Sequence, residues 1–178
     1  MSLSYAILAI LADESCSGYD LAKQFDQSVG YFWQASHQQI YRELAKLEDK
    51  QWIEAELITQ ETRPNKKLFS LTDLGRQQMQ DWIGQSSKPC RYKEEMLVKL
   101  FAGHLVDPPI LIAELRRYQH QHEQQLQVYQ TIEQDSFSQP EQLPLAAKCQ
   151  YLTLRHGIWY EQDVIGWCAE AIALLESE

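Results

Sequence analysis

The chain has 178 residues, of which 44% are hydrophobic and 23% charged, and its formal net charge is -9. Length and apolar content suit one domain, or a small domain with a helical extension, and exclude wholesale disorder. The acidic balance excludes a generic, strongly basic nucleic-acid binder, while a specific binder needs only a local basic patch.

Four cysteines, Cys16, Cys90, Cys149 and Cys168, are widely spaced and form no CxxC pair. They read as reduced thiols in a cytoplasmic protein. The apolar start, residues 3–12, lacks a basic leader, ends at Asp13 and Glu14, and is too short to span a membrane. It is expected to form a core helix of a soluble protein.

Ser17 and Gly18 interrupt that helix and can cap a second one over residues 19–28, with Leu21, Ala22 and Phe25 on its apolar side. After Gly30, residues 32–35 lead into the segment around which the first half is organised, residues 36–50. There Ile40, Leu44 and Leu47 form one apolar stripe. Gln38, Arg42 and Ala45 face the other way, flanked by Gln39 and Lys46, and Ser36 is placed to cap the start. Alternation then replaces helical spacing. Residues 52–58 and 67–71 read as two antiparallel strands joined by a loop with a Pro64-Asn65 turn signal and Arg63, Lys66 and Lys67 at its tip. Thr72 caps a fourth helix over residues 73–83, with Asp73 in its first turn.

Three helices, a hairpin with a basic tip and a further helix make the layout of a winged helix-turn-helix. A helix fits the major groove, where Gln and Arg read base edges, and a basic wing reaches phosphates alongside. The DNA-contact candidates are Ser17, Tyr19, Ser36, Gln38, Gln39, Tyr41, Arg42, Lys46, Arg63, Lys66 and Lys67. Ser17 would act with the free N–H groups of the second helix, and Tyr41 would offer its hydroxyl to a phosphate. The alternative is a winged helix used for protein assembly, without an operator.

Residues 3–83 resemble the PadR family of transcriptional regulators. The signatures are Tyr5-Ala6-Ile7-Leu8, Ser17-Gly18-Tyr19-Asp20-Leu21, Phe32-Trp33-Gln34-Ala35-Ser36 and Gln39-Ile40-Tyr41-Arg42-Glu43-Leu44, followed by Leu47-Glu48, Lys67-Leu68-Phe69-Ser70-Leu71-Thr72 and Gly75. With its helical second half, the chain looks most like the branch containing repressors of phenolic acid decarboxylase genes. The resemblance implies a dimer on a palindromic operator, released by a small aromatic acid such as p-coumarate. One departure stands out: Gln51 occupies a position where the family usually has Gly, which implies a different helix end or local strain.

The division is expected after residue 85, with residues 86–178 forming a helical dimerisation and effector-sensing domain. A helix over 90–103 carries Met96, Leu97, Leu100 and Phe101, and a long helix from 110 to about 135 thins to Gln and His between 119 and 127. A last helix over 145–175 has a seven-residue repeat: Tyr151, Ile158, Ile165 and Ile172 on one line, Leu154, Glu161, Cys168 and Leu175 on another. Leu145, Leu152 and Trp159 add a second apolar edge. That is more than one neighbour can cover, so a second copy is expected. Its contact would use Leu3, Leu97, Leu100, Phe101, Tyr151, Leu154, Ile158, Ile165, Cys168, Ile172 and Leu175. Two copies of the 36–50 helix one helical turn apart would then match a palindrome.

The effector candidates are Trp33, His37, Arg91, Tyr92, Lys93, Met96, His156, Trp159 and Trp167, expected at the junction of the two domains. Aromatic rings would stack on a flat ligand and a cationic side chain would pair with its carboxylate. No HExxH, GxSxG, GxGxxG or P-loop occurs, and His120 and His122 fall on different helix faces. Neither an enzyme nor a metal site or other cofactor is expected.

Overall fold

The computed structural model describes residues 3–26, 28–59, 65–87, 89 and 93–177. The chain divides into two compact units, Met1–Pro89 and Cys90–Glu178.

In the first unit α1 (Leu3–Leu11) is so apolar that it becomes the central helix, burying Ile7, Leu8, Ile10 and Leu11. Around it pack α2 (Gly18–Asp26), through Leu21, Ala22 and Phe25, and α3 (His37–Asp49), through Ile40, Leu44 and Leu47. The strands are β1 (Cys16–Ser17), β2 (Ile53–Ile58) and β3 (Lys66–Leu71), and Ile53 and Phe69 complete the core. The sheet has three strands where sequence spacing gives a two-stranded hairpin. β1 pairs antiparallel with the far edge of β3, Cys16 opposite Phe69 and Ser17 opposite Leu68. Two residues are too few to leave an alternating pattern in a sequence.

Helix α4 (Asp73–Ile83) closes this unit. Thr72 Oγ1 accepts from the Gly75 N–H at 3.0 Å and donates to the carbonyls of Gln51 and Trp52, so one hydroxyl ties the helix start to the end of α3. A Cβ at position 75 would stand 1.9 Å from the Trp52 carbonyl oxygen, which is why only glycine fits there. The end of α3 resolves the question raised by Gln51. Its N–H bonds to the Glu48 carbonyl at 2.9 Å, and the Trp52 N–H bonds to the Leu47 carbonyl at 3.0 Å. These are the two bonds of a Schellman ending, and Gln51 takes the left-handed position with φ 59°. The geometry is that of a glycine-terminated helix, with the strain of a side chain added.

The second unit is an antiparallel hairpin of two long helices, α6 (Pro108–Ser136) and α7 (Leu145–Glu176), with the short α5 (Glu95–Phe101) against its open end. α5 is shorter than the 90–103 helix expected; residues 103–105 continue it as a 3-10 turn. The pairings along the hairpin are Arg116 with Glu176, Gln119 Nε2 donating to the Ile165 carbonyl, His122 with Glu161, Tyr129 against Gly157, Glu133 with Arg155, and Phe137 beside Tyr151. Met96, Leu111, Leu115, Cys168 and Ile172 form its core at one end.

The Gln- and His-rich stretch is therefore not idle surface. Where the apolar stripe of α6 thins, His122 Nδ1 meets the buried carboxylate of Glu161, edge-on to Tyr118 and Tyr160. Burial, with the Glu94 carboxylate as the next contributor, pushes the Tyr118 hydroxyl well above its ordinary pKa. Among the described residues no helix is long and apolar enough to cross a membrane, and no cluster of three His, Cys, Asp or Glu is arranged for a metal.

Candidate nucleic-acid interface

Helix α3 begins with a capping box. Ser36 Oγ accepts from the Gln39 N–H at 3.2 Å, and Gln39 Oε1 accepts from the Ser36 N–H at 2.8 Å. The amide oxygen of Gln39 is thereby committed to the helix start, which leaves only its Nε2 donors for a base edge. Beyond the cap, Ile40, Leu44 and Leu47 turn inward. Gln38, Tyr41 and Arg42 face outward. Among the described residues Gln38 and Arg42 make no side-chain hydrogen bond or ion pair. Tyr41 is braced against the start of α2: a Cβ at position 18 would lie 2.6 Å from its Cε1, so glycine there lets the ring sit over the helix end. The result is an exposed row offering an amide, a guanidinium and a fixed phenol.

The lysines behave differently. Lys46 Nζ bonds Glu43 Oε2 at 3.0 Å, Lys66 Nζ bonds Asp20 Oδ2 at 2.7 Å, and Lys67 Nζ bonds Glu48 Oε2 at 2.7 Å. Lys67 lies on the Phe69 side of the strand, its ammonium 5.2 Å from that ring. It extends toward α3, where Glu48 holds it. The bond from Lys66, then that from Ser17, holds the Asp20 carboxyl below its ordinary range. Burial raises Glu43, but hydrogen bonds from Ser4 and Lys46 outweigh it and leave that carboxyl lowered too.

Ser17 is buried, and its hydroxyl is spent on the N–H and carboxylate of Asp20. This corrects its expected phosphate role, while neighbouring Tyr19 is 71% exposed. Arg63 lies outside the described residues. The acidic partners Asp20, Glu43 and Glu48 were missed from sequence. The only local signal was Glu43 three residues before Lys46; the other pairs join residues far apart in the chain.

The effector candidates divide. Trp33 packs against the core of the first unit, Met96 is buried in the core of the second, and Trp167 packs against it. Burial removes Met96 from its expected role, while Trp33 and Trp167 keep part of their surface exposed. His37 Nε2 lies 2.8 Å from Asp26 Oδ2 and joins the end of α2 to the start of α3. Lys93, His156 and Trp159 are exposed, Trp159 with the Arg155 guanidinium 5.5 Å from its ring. Arg91 and Tyr92 are outside the described residues. A shallow cavity of about 180 Å³ is lined by Phe25, Asp26, Gly30, Gln34 and Ala35, none of them expected.

The residues expected to contact a second copy divide as well. Ile158, Cys168 and Ile172 are buried within the hairpin, Leu100 and Leu175 pack on its core, and Tyr151, Leu154 and Ile165 are half-buried. Leu3 packs on the core of the first unit. Their own chain uses the heptad lines. Leu97 and Phe101 remain outside, Phe101 at 90% exposure, joined by Leu145, Leu152 and Trp159.

Two family models match: a transcriptional regulator PadR-like family over residues 7–81, and a virulence activator alpha C-terminal family over residues 92–176. A probable transcriptional regulator of Mycobacterium tuberculosis is 36% identical, the match covering 100% of both chains. The negative transcriptional regulator PadR of Bacillus subtilis is 31% identical over 99% of this chain and 98% of its own. The crystal structure of that PadR with operator DNA superposes with TM-score 0.84 at 30% identity, covering 97% of this chain and 98% of that one. Its complex with p-coumaric acid gives 0.81 at 26% identity, covering 99% and 96%. The Vibrio cholerae virulence activator AphA gives 0.80 at 30% identity, covering 99% of each chain.

Proposed function

The chain belongs to the PadR-like family of transcriptional regulators, and from that membership and the geometry of α3 we propose that it is a ligand-responsive repressor. It binds a palindromic operator as a homodimer and leaves it on binding a small aromatic acid. The observation that carries the reading is the outer face of α3, where Gln38 and Arg42 are exposed and, among the described residues, uncommitted. Arg pairs bidentately with guanine and Gln with adenine in the major groove, and Tyr41 beside them suits a phosphate.

A second copy fits apolar residues that the hairpin leaves outside, among them Leu97, Phe101, Leu145, Leu152 and Trp159. A symmetric pair covers them and supplies two reading helices. For the effector, the exposed Lys93 of the second unit offers an ammonium group for a carboxylate. The relative bound to p-coumaric acid supports that ligand class.

The test starts from a duplex selected by the protein from a random library. Arg42→Ala should weaken binding to that duplex by roughly 5–150-fold, the equivalent of about 1–3 kcal/mol for one base contact. Saturating p-coumarate or ferulate should release the wild type. Unchanged affinity in Arg42→Ala would refute the role of α3. Operator binding and tryptophan fluorescence both unmoved by the acids would refute the effector.

A further inference from the structure

Adjacent lysines on β3 point to opposite faces of the sheet, and each ends on a carboxylate from a different helix. Lys66 reaches Asp20 in the first turn of α2; Lys67 reaches Glu48 in the last turn of α3. Lys46 is matched in the same way by Glu43. Each described lysine of the proposed DNA-contact set thus has its counter-ion within 3.0 Å, while the Arg42 guanidinium has none among the described residues.

We propose that Asp20 and Glu48 are specificity-determining residues of the DNA-binding surface: by neutralising Lys66 and Lys67 they withdraw both lysines from sequence-independent attraction to phosphate. This rests on the DNA-binding reading above. Non-specific affinity comes almost entirely from cations that displace counterions from DNA. A lysine held on a carboxylate adds little net charge to that process. Binding then depends on Gln38 and Arg42 meeting the right base edges. The pairs are half-exposed, so they matter little to folding and much to the charge that DNA meets. Asp20 is well held in its charged form because Lys66 and Ser17 both donate to the same oxygen. The overall acidity of the chain, -9, agrees with a protein that avoids indiscriminate binding.

The experiment is fluorescence anisotropy of the full chain on the selected duplex and on a random-sequence duplex, over a range of salt. Each phosphate contact steepens the log–log salt slope by about 0.9, which near 0.1 M salt corresponds to roughly 5–10-fold in affinity. Asp20→Asn should bind the random duplex tighter by that factor with a steeper slope. It should gain less on the selected duplex, where base contacts fix where Lys66 reaches. Lys66→Ala should weaken random binding, and the double variant should return to within about twofold of wild type. Glu48→Gln with Lys67→Ala repeats the cycle on the other face, so a folding defect in one set leaves the other decisive. A double variant as weak as its lysine single variant would overturn the proposal, because the lysine would then meet a phosphate that the carboxylate does not offset. Equal gains on both duplexes, or none on the random one, would also overturn it. If the wild type prefers no duplex at all, the DNA reading itself falls, a result separable from these.

Discussion

The outward face of α3 and the outward line of α7 are both left uncovered by their own units, yet they differ in kind. On α3 the exposed groups are an amide, a guanidinium and a phenol, beside lysines matched to carboxylates. On α7 they are Leu145, Leu152 and Trp159, with Phe101 of α5 similarly bare. The first surface is suited to a polar, charged partner read by hydrogen bonds. The second is suited to an apolar partner held by burial. One chain thus carries two unfinished surfaces, and their chemistry separates what each one waits for.

The contrast between buried and bare positions on the helical hairpin gives the largest expected effect. Leu115 is fully buried in the core of the second unit. Leu115→Ala should cost about 2–5 kcal/mol in a urea melt. Trp159 is 61% exposed in the single chain. Trp159→Ala should leave the melting of an isolated subunit nearly unchanged but weaken self-association about 30-fold or more, as for an aromatic anchor worth roughly 2 kcal/mol. Sedimentation equilibrium measures the second effect. If Trp159→Ala left association unchanged, the α7 line would not be the seat of a second copy.

A smaller change sharpens the account of the reading helix. Gln51 sits at φ 59° in an otherwise regular Schellman ending. Gln51→Gly should stabilise the first unit by about 1 kcal/mol, since it removes the cost of a side chain in the left-handed region. A destabilised variant would mean that the Gln51 side chain contributes more than its backbone strain removes.

Much of the first unit is legible in the sequence because its signals are local. Ser36 with Gln39, and Thr72 with Gly75, fix helix starts within four residues. The departure at Gln51 was also visible, as a missing glycine. What stayed hidden is contact between distant residues. β1 depends on pairing Cys16 with Phe69, and the wing lysines depend on Asp20 and Glu48. In the second unit periodicity correctly marks which residues of α7 are buried but not what buries them. Ile158, Cys168 and Ile172 pack within their own hairpin, which leaves the second edge of Leu145, Leu152 and Trp159 more exposed than these heptad positions. Glu161 on an apolar line was the one hint of a buried polar partner, and His122 supplies it.

In the proposed homodimer, two copies of α3 read DNA together. A hydroxyl-radical footprint of the wild type on its selected duplex tests it most directly. The expected result is two symmetric protected patches whose centres lie about one helical turn, roughly 10 base pairs, apart or a whole multiple of that, both lost with Arg42→Ala. Protection of a single patch, or a footprint unchanged by Arg42→Ala, would contradict it.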